Sequence, residues 1–324
     1  RVPSSCCCRA AVASGEGLLA MGACESSFFG MGDESLCSSA TSSDQPSKQV
    51  SYEESFQKAL ELELKSAQVL NGLGRAGGGR ECFEQALELE PDFAAAWNNL
   101  GSVGGGEISG RKHSPRECFQ RTLELQPDCV SAWNNLGTAG GGGVAGRVYS
   151  KKECYARALE LQPDNTAAWC NLGSAGGGDV AGRFHSDRGC FLRALEVEPE
   201  CACSWNNLGT LGGGDVLGRA YTDKECYSKA LEFRPELASA WKNFGRAGGG
   251  VVAGSFRGSG ECFSRALELA PECAQSWSGL ASAGGGDVAG RTYTKKECLC
   301  KAVELRPASA FAWCTPARAN NGAM

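Results

Sequence analysis

SKKECYARALELQPDNTAAWCNLGSAG, residues Ser150–Gly176, carries the reading of the fold. Ser150 and Glu153 stand three apart, the S-x-x-E spacing at which a hydroxyl and a carboxylate satisfy the first free N–H groups of a helix. Cys154, Tyr155, Ala158, Leu159 and Leu161 then fall on one helical face. Glu153 and Arg157, at i and i+4, are expected to pair on the outer face, worth roughly 0.2–0.5 kcal/mol. Pro163 ends that helix or starts the next. A second helix is expected from Asp164 to about Ser174, packing through Ala168, Trp169, Leu172 and Gly173. The glycines from Gly176 stop it.

The stretch recurs along the chain. Trp97, Trp133, Trp169, Trp205, Trp241, Trp277 and Trp313 are all seven tryptophans, and every step is 36 residues. Pro91, Pro127, Pro163, Pro199, Pro235, Pro271 and Pro307 keep the same step, as do Cys82, Cys118, Cys154, Cys190, Cys226, Cys262 and Cys298. The capping pair returns at Ser51/Glu54, Ser114/Glu117, Thr222/Glu225 and Thr294/Glu297. A period this regular means an array of one supersecondary unit, in which each unit buries its apolar face against its neighbours.

The repeated A-W-x-N-L-G, as in Ala132–Gly137, followed by F/Y-x-x-A-L-E-L-x-P, as in Tyr155–Pro163, resembles the tetratricopeptide repeat family. The resemblance covers roughly Ser51 to Trp313, about seven units. It implies an all-α fold, an α-solenoid in which helix-turn-helix units stack into a right-handed superhelix. One feature departs from the family. Its period is 34, whereas here a segment such as GGGDVAGR, Gly176–Arg183, intervenes, somewhat like the glycine-containing turn of Sel1-like repeats. The first unit reads Gly77-Gly78-Gly79-Arg80-Glu81-Cys82, lacking nine residues that later units carry. A segment that can be missing reads as a loop, and its length should matter little, since doubling a flexible loop costs only about 0.6 kcal/mol.

Three regions follow: a Ser/Cys/Gly-rich segment over 1–50 expected to be disordered, the solenoid over 51–316, and a short tail over 317–324. Pro316 stops the last helix without a polar cap, so either an exposed apolar face ends the array or the chain is a fragment, and the absence of Met at position 1 suggests a fragment or an incomplete start. The 324 residues carry 32 Lys plus Arg against 37 Asp plus Glu, a net charge of −5, which gives no electrostatic footprint for nucleic acid. No apolar run approaches the roughly 20 residues that span a bilayer. Nineteen cysteines, an odd number without a convincing secretory signal, suggest reduced thiols and a cytoplasmic location.

Candidate chemistry is sparse. The cysteine column lies beside Phe or Tyr on the apolar face and reads as packing. No C-x-x-C pair or histidine partner accompanies it, so no metal is expected, and nothing implies a cofactor. The triple glycines follow a helix rather than a strand and lack a Gly-Lys-Ser/Thr end, so they are not a phosphate loop. Asp179 with Arg183, Asp215 with Arg219, and Asp287 with Arg291 are expected to close these loops. His113 and His185 share a column with Tyr149, Tyr221 and Tyr293 and read as surface residues.

The most suggestive column is Asn99, Asn135, Asn171, Asn207 and Asn243, two residues after each tryptophan, broken by Gly72 and Gly279 at the ends. In the O-linked N-acetylglucosamine transferase branch of the resembled family, the matching asparagine lines the concave surface and bonds an extended peptide. An amide offers a donor and an acceptor, which a peptide unit requires. The alternative is that these side chains bond neighbouring helices and support the stack; Asn98, Asn134 and Asn206 are weaker candidates. Lys242 and Arg246 are a lone basic pair, too little for the carboxylate clamps of some family members. Met21-Gly22-Ala23-Cys24-Glu25-Ser26 fits the myristoylation pattern, with Gly22 acylated and Cys24 palmitoylated, if Met21 initiates the chain. Such acylation would tether the chain to a membrane. The function expected is a non-enzymatic scaffold that binds a protein or peptide in its groove. The alternative is the substrate-recruiting repeat region of a larger enzyme, such as a glycosyltransferase, with its catalytic part elsewhere.

Overall fold

The computed structural model describes residues 66–306. They fall into two compact units that divide between Pro163 and Asp164. The first unit contains α1 (Ala67–Leu73), a π-helical turn (Gly74–Gly78), α2 (Gly79–Leu89), α3 (Ala94–Ser102), β1 (Gly106–Ile108), β2 (Arg111–His113), α4 (Pro115–Leu125), α5 (Val130–Thr138), β3 (Gly141–Val144), β4 (Arg147–Ser150) and α6 (Lys151–Leu161). The second contains α7 (Thr166–Ser174), β5 (Gly178–Val180), β6 (Arg183–His185), α8 (Asp187–Val197), α9 (Ala202–Thr210), β7 (Gly214–Val216), β8 (Arg219–Tyr221), α10 (Asp223–Phe233), α11 (Ala238–Arg246), β9 (Gly250–Val252), β10 (Ser255–Arg257), α12 (Ser259–Leu269), α13 (Ala274–Ser282), β11 (Gly285–Val288), β12 (Arg291–Thr294) and α14 (Lys295–Leu305). Each unit is a stack of helix pairs, an α-solenoid, and each tryptophan helix packs on the cysteine helix that follows it.

The helices begin where the capping pairs stand. The Ser150 hydroxyl accepts from the Glu153 N–H at 3.3 Å, and the Glu153 carboxylate accepts from the Ser150 N–H at 2.8 Å. The same reciprocal box opens α4, α10 and α14. Cys154, Tyr155, Ala158 and Leu159 are buried, while Leu161 lies at the exposed edge of α6. The expected Glu153–Arg157 pair does not form. Arg157 turns forward to Glu160, three residues on, and Glu153 is held by the cap and by Arg147 at 3.3 Å.

Among the described tryptophan helices, α3, α5, α7, α9 and α11 carry a glycine near their ends where the next helix lays an aromatic ring; in α13 Ala281 takes that place, and the next helix carries Leu299 instead of a ring. A Cβ at Gly137 would stand 2.5 Å from the Tyr155 ring, so only glycine permits the approach. The periodic proline has a second role. The Trp133 Nε1–H donates to the Pro127 carbonyl at 2.8 Å, and Trp97, Trp205, Trp241 and Trp277 bond Pro91, Pro199, Pro235 and Pro271 at 2.7 Å. A buried indole donor thus gains its acceptor from the turn six residues earlier. That accounts for the shared period of two unlike residues.

The glycine-rich segments are not loops. Each folds as a two-stranded antiparallel hairpin, for example with Gly141 opposite Ser150 and Val144 opposite Arg147. The two turn residues between the strands both have positive φ, 49° at Ala145 and 80° at Gly146, which marks the turn type that matches strand twist. Ile108, Val144, Val180, Val216, Val252 and Val288 are each buried at 9% exposure or less, so every hairpin is anchored in the helical core. Residues of the preceding cysteine helix also hold the hairpins: Gln120 Nε2 donates to the Gly143 carbonyl at 2.6 Å, and Ser228 Oγ donates to Val251 at 2.8 Å. The unit that lacks the nine residues instead passes from α1 to α2 through the π-helical turn.

Candidate functional site

The asparagine column sits on the tryptophan helices α3, α5, α7, α9 and α11, with its positions fixed by the burial of the tryptophan two residues before. Four of its amide groups follow one rule. Asn135, Asn207 and Asn243 donate to the preceding tryptophan helix, and Asn99 donates to α1. Asn99 Nδ2 donates to Asn71 Oδ1 at 2.8 Å, and Asn135 Nδ2 to Asn98 Oδ1 at 3.2 Å. Asn243 Nδ2 donates to Asn206 Oδ1 at 3.0 Å. Asn207 Nδ2 donates to Ser174 Oγ at 3.1 Å, with the Cys170 sulfur at 3.8 Å. For Asn135 and Asn243 the acceptor is the residue directly after the preceding tryptophan, and Asn71 holds that place for Asn99; Asn207 turns to Ser174 instead, as Asn135 also does to Ser102 at 3.4 Å. Asn98 and Asn206, the weaker candidates in the sequence, are therefore halves of the same ladder. Asn99, Asn135, Asn171 and Asn207 stay half-buried, with an edge open to solvent, while Asn243 is 8% exposed. At Gly279 the column ends because the Phe263 ring takes the space; a Cβ there would lie 2.4 Å from it.

The ladder couples repeats through the amide nitrogens, and Asn207 Oδ1 also accepts from Asn206 Nδ2 at 3.2 Å. An amide oxygen has two lone pairs, and the ladder donors use the nitrogen side. Each cross-repeat bond contributes about 1 kcal/mol net. Of the other polar groups on these helices, Lys242 Nζ donates to Gln275 Oε1 at 3.2 Å, and Arg246 is exposed in the last turn of α11.

The remaining columns are structural. Cys118, Cys154, Cys226 and Cys262 are fully buried. Burial pushes the Cys118, Cys154 and Cys226 thiols up to about 12 and Cys262 to about 11, and raises Cys298. They are neutral thiols without nucleophilic character. Among the described residues no group of three His, Cys, Asp or Glu is placed to hold a metal ion. No helix there is long and apolar enough to cross a membrane.

The expected Asp–Arg loop closures do not form. Arg219 and Arg291 reach forward instead to the capping carboxylates Glu225 and Glu297, at 3.6 and 3.4 Å. Asp215 accepts from the Gly218 N–H at 2.8 Å, and Asp287 accepts from the Thr292 hydroxyl. The physical reason is the hairpin, whose tight turn points the arginine along the second strand toward the next helix. His113 and His185 are not loose surface residues. Each packs edge-on to a tryptophan, with ring centroids 4.9 Å from Trp97 and 4.8 Å from Trp169. Tyr149, Tyr221 and Tyr293 do the same against Trp133, Trp205 and Trp277. Partial burial lowers both histidine pKa values, helped by Arg111 and Arg183. Gly22 and Cys24, the acylation candidates, lie outside the described residues.

Residues 64–104 match the sequence profile of the tetratricopeptide repeat family. The crystal structure of the yeast Tom70 is similar in fold, with a TM-score of 0.44 and 17% identity, over 83% of this chain and 56% of that one. The chain thus spans about half the length of that structure. No curated protein matches the sequence.

Proposed function

We propose that this chain, a member of the tetratricopeptide repeat family, is a protein-interaction scaffold that holds an extended peptide segment of a partner along its tryptophan helices. The observation that carries the reading is the amide column. Within each unit, asparagines recur at one position of successive helices, and ladder bonds fix the orientation of Asn99, Asn135, Asn207 and Asn243. Fixed amides spend little side-chain entropy on binding a peptide backbone. Recognition through backbone groups tolerates varied side chains, which suits a repeat surface. The scaffold itself performs no chemistry in this reading, and its membrane attachment through Gly22 and Cys24 is a separate proposal. An acylated Gly22 at the mature N-terminus, seen by intact mass, would support that tether, and an unmodified chain would remove it.

The test is selection of displayed peptides on the full chain and on a variant with Asn135 and Asn207 changed to Ala. Both proteins are first matched by circular dichroism. Loss of enriched peptides on the variant supports the groove. Equal enrichment on both, with only a lowered melting temperature in the variant, would leave the column a purely structural ladder.

A further inference from the structure

The second strand of the hairpins carries a pattern that the scaffold reading does not use. Arg111, Arg147, Arg183, Arg219 and Arg291 each stand three residues before an exposed hydroxyl, at Ser114, Ser150, Ser186, Thr222 and Thr294. In the fifth hairpin both are gone together, replaced by Ser255 and Gly258, although the carboxylate Glu261 remains. Four of the arginines have a structural partner, the capping glutamate, at 3.3 to 3.7 Å. Three also lie over a tyrosine ring. Arg183 has neither: the capping position holds Gly189 and the ring position holds His185. It has no ion pair among the described residues.

Ser186 differs from its counterparts in the same way. Its Oγ accepts from the Gly189 N–H at 3.1 Å, with no carboxylate opposite, whereas Ser114, Thr222 and Thr294 donate to their glutamates at 2.7–2.9 Å. A phosphoryl group on those hydroxyls would meet a carboxylate at contact distance. At Ser186 the capping carboxylate is absent, and Arg183 occupies the strand position from which Arg147, Arg219 and Arg291 reach the capping site in their own hairpins. Asp187 follows Ser186 in the chain, and its carboxylate accepts from the Arg188 N–H at 2.7 Å.

We propose that Ser186 is a phosphorylation site for a protein kinase that reads arginine three residues before its acceptor. The Ser186 Oγ bonds the γ-phosphorus of a nucleoside triphosphate while the bond to the bridging β,γ-oxygen breaks. The nucleoside diphosphate leaves, and the hydroxyl proton passes to the kinase base. The product dianion is held by Arg183 in the arrangement that makes arginine a phosphate partner. The glutamates of the other boxes disfavour the same product by like charge.

The full chain is incubated with MgATP and a purified kinase selective for arginine at this spacing, and each site is followed by phosphopeptide mass spectrometry. Ser186 is expected to be modified at least tenfold faster than Ser150 or Thr222. Arg183→Ala should slow it at least tenfold. Gly189→Glu, which restores the full capping box and keeps the fold, should bring Ser186 down to the rate of Ser150. A folded chain in which Ser186 stays unmodified overturns the proposal, whether or not an unfolded peptide spanning residues 178–190 is modified. So does a Ser186 rate equal to that of Ser150.

Discussion

Two adjacent glycines offer a direct measure of whether the glycine-rich segments are structure or slack. Gly212 and Gly213 have nearly the same backbone angle, φ of 87° and 85°. Around a Cβ at Gly212 there is nothing within 4 Å, whereas a Cβ at Gly213 would stand 2.1 Å from the Tyr221 carbonyl oxygen of β8. Changing either to Ala forces a side chain into left-handed backbone, at about 1–2 kcal/mol. Each also loses the same unfolded-chain entropy, which returns about 0.4–1 kcal/mol and cancels in the comparison. Only Gly213→Ala must also part the entry to the hairpin from its second strand, an overpacking cost of about 1–3 kcal/mol. Gly212→Ala should therefore lose about 1 kcal/mol and Gly213→Ala about 2–4 kcal/mol. Urea unfolding followed by far-ultraviolet circular dichroism and tryptophan fluorescence measures both. Equal losses in the two variants, or none in either, would mean that the segment yields like a loop and that the hairpin reasoning is wrong.

Other expectations use different probes. Trp205→Ala removes a side chain that is 4% exposed and bonded to Pro199, and should destabilise the second unit by about 3–5 kcal/mol in the same melts. With folded pKa values of His113 and His185 below 6.5, the unfolded chain binds more protons just under that pH, so stability is full above 6.5 and declines as pH falls through it. Melting temperatures of the double variant His113→Tyr, His185→Tyr should lack this step; the glutamates of the capping boxes, also lowered, give way only below 4.5. Alkylation with iodoacetamide under native conditions should label Cys300, which is exposed, and spare Cys118, Cys154 and Cys226 until urea is added. Labelling of those three in the native chain would contradict their burial.

The helices were legible because their signals are local. A hydroxyl three residues before a carboxylate, an apolar stripe at helical spacing and a proline at each end need no distant partner to be understood. The 36-residue period then makes stacking the natural burial for every stripe. The asparagine column was also visible as a column, though not the direction of its bonds, because an amide can donate or accept and only the neighbouring helix decides which.

The hairpins illustrate the limit. Gly-Gly-Gly followed by a single valine has low strand propensity, and its absence from one unit made it look dispensable. Its strands exist because the valine reaches the helical core, the tyrosine or histidine lies on the tryptophan, and the preceding helix supplies bonds to the first strand. The same contacts redirect the arginines from the aspartates near them in sequence to the capping glutamates. Sequence alone determined the period, the helices and their buried faces, since each follows from spacing along one chain segment. Tertiary structure decided the hairpins, the ladder and the pairing of hairpin arginines with capping glutamates, since each depends on groups brought together only when one element meets another.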